Sequence, residues 1–189
     1  MNIIHCFDSN DFWSAYFKQF QSKACFLVCK IFSLFFWSVK YSALNIASLI
    51  MQINDQIIHI HNVYFKLSDN YIHINQNLLI FKLSKLLKKS NKHVLLENFN
   101  FHHSIWNDLQ CFIKHNMTDK LFYIVNETDL QLLILSDIIM WKNRKQSFTV
   151  NFIFNTTNLK QQIINCCMNS SLKNDFNHHL IFTQFNFDR

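Results

Sequence analysis

Polar side chains capable of binding metals or phosphates are concentrated in four places along the sequence. The densest is VLLENFNFHHSIWND, residues 94–108, where an apolar run gives way to a carboxylate, asparagines and two adjacent histidines. Each group lies at an end of a predicted β-strand. Polar groups at the end of a strand can form the edge of an active site, or they can belong to a polar surface loop. The four groups are His59/His61/Tyr64, Asn98/Asn100/His102/His103, Asn151 and Asn177/His178/His179.

Each of these groups also has a non-functional interpretation. His59 and His61 alternate with apolar residues, which is typical of the solvent-facing side of a strand. A chain with ten histidines contains adjacent pairs by chance. Zinc is disfavoured because neighbouring residues of a strand point to opposite faces, and because the six cysteines form no CxxC pair. No single group is therefore sufficient evidence for a function.

Most of the secondary-structure elements predicted around these groups are short strands. The segment MQINDQIIHIHNVY predicts a hairpin, because Asn54 and Asp55 supply turn residues between alternating runs. Helices are predicted over residues 76–90 and within 105–125, and a further helix is one interpretation of residues 1–21. Together these elements indicate a mixed α/β protein with paired sheets. The predicted strands cover residues 24–30, 37–41, 48–53, 56–63, 94–96, 130–133, 138–141, 148–154, 163–167 and 180–185.

The composition is unusual, since the chain of 189 residues contains no Gly and no Pro but 21 Phe. We attribute this to mutational pressure toward A/T, because the missing residues have GC-rich codons. Asn, Asp and Ser must then form the tight turns, so we expect a domain less stable than is ordinary for its size.

The net charge of +6 permits nucleic-acid binding. The only local basic concentration, residues 82–93, has the pattern of an amphipathic helix with a solvated lysine face. Residues 24–39 are apolar, but they are interrupted by Lys30 and are shorter than the roughly 20 residues of a membrane-spanning helix. Two buried strands joined by a turn near Ser33 are the preferred interpretation of that segment.

Taken in order, five blocks resemble a known family. They are INDQIIHIHNVYF, HVLLENFNFHHSIWN, DLQLLILSDIIMW, SFTVNFIF and NHHLIFTQF. They resemble the endonuclease domain of non-LTR retrotransposons of the fungal type, which belongs to the endonuclease/exonuclease/phosphatase superfamily. The resemblance runs from about residue 24 to residue 185, so residues 24–189 are predicted as this domain and residues 1–23 as a poorly defined N-terminal segment.

The resemblance implies a four-layer α/β/β/α sandwich of the DNase I type, with the active site at one end of two facing sheets. It also implies Mg²⁺-dependent hydrolysis of DNA phosphodiesters, in an element that carries a reverse transcriptase and acts in the nucleus. Blocks bearing the family's first Asn and its metal-binding Glu are not recognisable, so we expect an N-terminally truncated domain.

The family's site residues transfer only in part. Tyr64, Asn100 and His179 match the family's tyrosine, asparagine and final histidine. Three aspartates of the family are replaced, and the residues in their places are Asn98, Asn151 and His178. Because Asp to Asn removes the charge that holds Mg²⁺, the resemblance predicts weak or absent metal binding and impaired catalysis. Two alternatives remain: a non-catalytic basic nucleic-acid-binding remnant, and a small aromatic-rich membrane protein.

Overall fold

The computed structural model describes ten stretches of the chain: residues 13–16, 23–29, 36–65, 73–89, 92–98, 116–133, 141–142, 147–148, 151–169 and 180–186. They form twelve strands and three helices. The strands are β1 (Trp13–Tyr16), β2 (Phe26–Cys29), β3 (Trp37–Ala43), β4 (Ile46–Ile53), β5 (Gln56–Tyr64), β6 (His93–Asn98), β7 (Leu130–Leu132), β8 (Trp141–Lys142), β9 (Ser147–Phe148), β10 (Asn151–Thr156), β11 (Ile163–Asn169) and β12 (Leu180–Phe185). The helices are α1 (His73–Leu87), α2 (Asn116–Glu127) and α3 (Thr157–Lys160).

A six-stranded sheet with the order β3-β4-β5-β6-β10-β7 forms the centre of the fold. Its neighbours are antiparallel, except that β5 and β6 run parallel and are connected by α1. The predicted hairpin is confirmed as β4 and β5, which pair from Ile53–Gln56 to Ile46–Val63. Asn54 turns the chain there with φ 52°, a conformation that asparagine tolerates better than most residues.

The two long helices cover one face of this sheet. Leu79, Leu83 and Leu87 place the apolar side of α1 against it at helical spacing, and α2 contributes Leu121 and Ile124. From the sheet, this core includes the side chains of Ile46, Val63, Phe65, Leu95, Leu130 and Phe154. Burial of these apolar groups holds the helices on the sheet.

Strand pairs cover the opposite face. The β11–β12 pair contributes Cys166 and Phe185 to a cluster with Ile58, Val94 and Ile153 of the central sheet. The β1–β2 pair lies in a separate sheet, and Val28 of β2 packs with residues of β3 and β4. The described residues thus form three layers, helices, central sheet and paired strands, and no outer helical layer is described.

Several boundaries differ from the predictions. Within residues 1–21, Trp13–Tyr16 form a strand, so the helix interpretation is wrong there; the segment pairs with Phe26–Cys29. The predicted pair of strands joined by a turn near Ser33 is therefore not observed, because β2 pairs with β1 rather than with β3. Residues 30–35, which include the predicted turn, lie outside the described part of the chain. The predicted strand 148–154 is two strands, β9 and β10. Predicted elements at 105–115 and 138–140 also fall outside the described residues.

Helix α1 begins three residues before its predicted start. None of the helices in the described stretches is long and apolar enough to cross a membrane.

Candidate functional site

Three of the six residues predicted for the site occupy one row across the central sheet. Tyr64 ends β5, Asn98 ends β6 and Asn151 begins β10. Tyr64 is the register partner of Asn98 in the parallel pair, and Asn98 is the partner of Asn151 in the antiparallel pair. With adjacent strands about 4.8 Å apart, the row extends about 10 Å along one edge of the sheet. We refer to these three residues as the polar row.

Burial on both sides of Tyr64 fixes the end of β5. Val63 and Phe65 are fully buried in the helix-side core, so alternation directs Tyr64 to the face that carries the strand pairs. Asn45, in the turn between β3 and β4, forms two hydrogen bonds with the backbone of Tyr64. Its carbonyl accepts the Tyr64 N–H at 3.0 Å, and its Nδ2 donates to the Tyr64 carbonyl at 3.0 Å.

Buried apolar residues in the middle of β6 and β10 position Asn98 and Asn151, the other two residues of the polar row. In β6, Val94 and Leu95 are buried on opposite faces of the sheet. In β10, Ile153 and Phe154 are buried in the same alternating way. Burial of both faces sets the register, because a one-residue slip would move every apolar side chain to the wrong face. The polar ends of both strands consequently meet at the same edge.

The other predicted site residues lie outside the described part of the chain. Asn100 comes two positions after the end of β6, and His178 and His179 directly precede Leu180, where β12 begins. His102 and His103 are also outside it. Their positions relative to the polar row remain predictions.

His59 and His61 do not form the solvent-facing side of a strand, so that interpretation is wrong. His61 is fully buried on the helix side of the sheet and His59 is half-buried. The rings of His59, His61 and His93 lie 5.2–6.1 Å apart between centroids. This histidine cluster is not part of the polar row, because the five residues from His93 to Asn98 span about 16 Å of strand.

Hydrogen bonds join the cluster to the sheet. Ser48 Oγ lies 2.8 Å from His61 Nδ1, and His61 Nε2 lies 3.0 Å from His93 Nδ1. The Thr156 hydroxyl accepts the His93 backbone N–H at 3.2 Å. These bonds satisfy polar groups that would otherwise be costly to bury. Sequence reasoning missed this arrangement, although the alternation of His59 and His61 before His93 was a usable signal.

Burial sets the protonation of the cluster. It lowers the pKa of His61 to about 3, assisted by the neighbouring His93 and His59. The pKa of His59 is lowered first by burial and then by Lys40 and Lys89. Both rings are therefore neutral at pH 7. Among the described residues, no group of three or more His, Cys, Asp or Glu side chains could hold a metal ion.

The polar row offers one phenol and two carboxamides. Carboxamide N–H groups and a phenolic O–H donate hydrogen bonds, and phosphate oxygens accept them. Mg²⁺ sites in proteins instead use one or two carboxylates. By residue type alone, the row therefore contains donors suited to phosphate oxygens and contains no carboxylate.

Among known proteins, those similar to this chain are found by comparison of structures and not by comparison of sequences. No protein-family model and no curated protein matches the sequence. The endonuclease domain of TRAS1, a telomere-specific non-LTR retrotransposon, superposes with a TM-score of 0.72 at 16% identity, covering 94% of this chain and 81% of that one. An AP endonuclease from Archaeoglobus fulgidus gives 0.65 at 10% identity, with 92% and 79% covered.

A third solved structure was determined with nucleic acid. A variant of the 3′ phosphatase NExo from Neisseria, bound to a product DNA hairpin, gives a TM-score of 0.57 at 12% identity, with 78% of this chain and 67% of that one covered. All three are similar to this chain over most of its length. The chain therefore has the fold of the DNase I-like endonucleases, a mixed α/β architecture built on a central multi-stranded sheet.

Proposed function

We propose that this chain is a retrotransposon-type endonuclease domain, of the fungal non-LTR kind, that binds DNA at the polar row and hydrolyses it poorly or not at all. The observation that carries the proposal is the register of Tyr64, Asn98 and Asn151. These residues come from three separate blocks of the sequence. Their alignment in one row supports a shared site, and the similar TRAS1 domain and DNA-bound NExo support DNA as the partner.

The direction of β12 supports the addition of His178 and His179 to that site. The C-terminal end of β12 lies at the β4–β5 turn, where a cavity of 870 Å³ is lined by Gln52, Ile53 and Ile58 together with Phe185 and Asn186. Since β5 runs from this turn to Tyr64 and facing sheets align within about 30°, the start of β12 points toward the polar row. We therefore include His178 and His179, which directly precede Leu180 in the sequence, in the proposed site.

Electrostatics supports impaired catalysis. An aspartate and an asparagine have nearly the same shape, but only the aspartate carries the charge that retains a divalent cation. Asn98 and Asn151 are neutral, so the row can hydrogen-bond a phosphate without attracting a metal. DNA binding and DNA cleavage are thereby separable properties of this chain.

Metal titration tests the assignment. The double variant Asn98→Asp/Asn151→Asp should bind Mn²⁺ at least about 10-fold more tightly than the wild type, because two charges are restored in one row. Isothermal titration calorimetry measures this. The matched control, Asn126→Asp/Asn158→Asp, adds the same charge at exposed positions of α2 and α3. An equal gain in the control would show that the row is not the site.

A plasmid-nicking assay tests the impairment separately. The wild-type chain should leave supercoiled plasmid intact in the presence of Mg²⁺. Robust nicking that is abolished by His179→Ala would contradict impaired catalysis while supporting the site.

A further inference from the structure

A groove between the two long helices lies on the helix layer, apart from the polar row. It has a volume of 440 Å³ and is lined by Asn77, Ile80, Phe81 and Ser84 of α1 and by Asp119, Lys120, Tyr123 and Ile124 of α2. Ile80 and Ile124 are buried and form its floor. Phe81 is 54% exposed and Tyr123 is 66% exposed, so two aromatic rings flank the groove in contact with solvent.

These rings are not needed for the core of the protein. The neighbouring positions Leu79 and Leu83 already supply the buried side of α1, and Leu121 and Val125 do the same for α2. Phe81 and Tyr123 therefore leave large apolar surfaces in water without a compensating contact to the sheet. Exposed aromatic groups beside a groove are typical of a binding surface rather than of packing.

Positive charge lies beside the Phe81 ring on α1. Phe81, Lys85 and Lys88 follow one another at helical spacing, and Lys85 Nζ lies 4.3 Å from the centroid of the Phe81 ring. Residues 73–89 contain Lys82, Lys85, Lys88 and Lys89 but no Asp or Glu. On α2, Asp119 and Lys120 line the groove with opposite charges and Glu127 adds a further negative charge, so the basic surface is concentrated on α1. The lysine face predicted as merely solvated thus adjoins an aromatic groove.

We propose that the groove between α1 and α2 binds single-stranded nucleic acid. Bases stack on Phe81 and Tyr123, while Lys85 and Lys88 contact the adjacent phosphates. Aromatic faces combined with a basic track are the general basis of single-strand binding, because every base has a flat face and every linkage a negative charge. A duplex keeps its base faces inside, so it can use the lysines but not the rings. This surface does not depend on cleavage at the polar row.

Fluorescence anisotropy with a labelled oligothymidylate of about 15 nucleotides, within the range of known single-strand site sizes, tests this surface in the presence of EDTA. Phe81→Ala and Tyr123→Ala should each weaken binding by about 5- to 100-fold, as expected for the loss of one stacked base. Phe81→Trp should retain the affinity. Ile164→Ala is the control, since Ile164 is 58% exposed but lies on β11.

The salt dependence of binding tests the role of Lys85 and Lys88 separately. Lys85→Gln/Lys88→Gln should lower the slope of log affinity against log salt by about 0.7 for each phosphate that the variant no longer neutralises. Lys40→Gln removes an exposed charge elsewhere and should change the slope much less.

Three results would overturn the proposal: unchanged affinity in Phe81→Ala and Tyr123→Ala, equal losses in Ile164→Ala, or tighter binding of an acidic peptide of equal charge. Thermal unfolding of each variant identifies a loss of fold, and Phe81→Trp distinguishes stacking from stability. Metal titration and plasmid nicking do not involve this groove, so failure here leaves the proposed function standing.

Discussion

At the scale of single residues, buried polar side chains divide into a satisfied group and an unsatisfied one. Ser48, His61 and His93 form a continuous hydrogen-bonded chain inside the sheet–helix interface. Asn155, also fully buried, has no hydrogen-bond partner among the described residues for either its Oδ1 or its Nδ2. The first arrangement costs stability only when it is protonated, and the second costs stability at every pH.

Acid should destabilise the protein through His61. Its pKa is about 3 in the folded protein and 6.5 ordinarily, so between these values the unfolded chain binds a proton that the folded one excludes. The stabilisation is complete above pH 6.5 and is lost as the pH falls toward 3. We expect a loss of about 2 kcal/mol between about pH 7 and about pH 5. Urea unfolding at both pH values measures it.

The double variant Ser48→Ala/His61→Leu removes the titrating ring together with its partner. It should show a clearly smaller loss over the same pH interval. Equal losses in the variant and the wild type would contradict this role of His61.

Replacing Asn155 should stabilise the fold. Asn155→Leu keeps the branched shape and removes two unpaired polar groups, so we expect a gain of about 1–3 kcal/mol in the free energy of unfolding. Asn158→Leu, on the exposed side of α3, is the matched control and should stay within about 0.5 kcal/mol. A loss of stability in Asn155→Leu would mean that the site needs its polar atoms.

At the scale of elements, asparagine and aspartate take positions where glycine is usual. Asn54, between β4 and β5, has φ 52°, and Asp129, between α2 and β7, has φ 53°. Both residues tolerate the left-handed region by local hydrogen bonding but not without cost. Turns therefore form in a chain without glycine, and each strained turn lowers the stability of the pair of elements that it connects.

Substitutions at Asn54 test the left-handed turn, because the turn predicts which of two variants is the more stable. Asn54→Gly should be more stable than Asn54→Ala by about 1 kcal/mol, because alanine bears the steric cost of positive φ and glycine does not. At Asn126, in the last turn of α2, the order should reverse, since glycine is the poorer helix former by up to about 1 kcal/mol. Chemical denaturation of the four variants measures both differences. The same order at both positions would contradict the left-handed turn.

At the scale of the whole molecule, the net charge of +6 influences behaviour in solution, and the described residues carry it on three layers. Helices cover one face of the central sheet and strand pairs cover the other. Like charges distributed over this assembly repel one another, which favours the expanded unfolded chain at low salt.

Salt should consequently raise the unfolding temperature. Raising NaCl from about 20 to about 200 mM shortens the screening length, and we expect an increase of about 1–3 °C. Lys23→Gln/Lys40→Gln removes two exposed positive charges and should reduce this increase. Differential scanning calorimetry without nucleic acid measures it. An unfolding temperature that falls with NaCl would show that attractive ion pairs dominate.

Most of the strands, the hairpin and the fold class follow from local patterns in the sequence and from their order. Alternation with a period of two marks a strand and its buried face, and Asn54-Asp55 marks the turn, because both are local properties. The order of five blocks indicated the DNase I-like fold that the structural relatives support. Local patterns do not specify partners, however, so the pairing of β2 with β1 was not foreseen.

Contacts between residues that are distant in the sequence depend instead on how the strands pair and the layers pack. Tyr64, Asn98 and Asn151 share a row because the parallel β5–β6 pair and the antiparallel β6–β10 pair have particular registers. The same registers bring His61 beside His93 and so bury a cluster that alternation alone had indicated as solvent-facing. Register depends on burying both faces of the sheet at once, and that is a property of the packed layers rather than of any one segment.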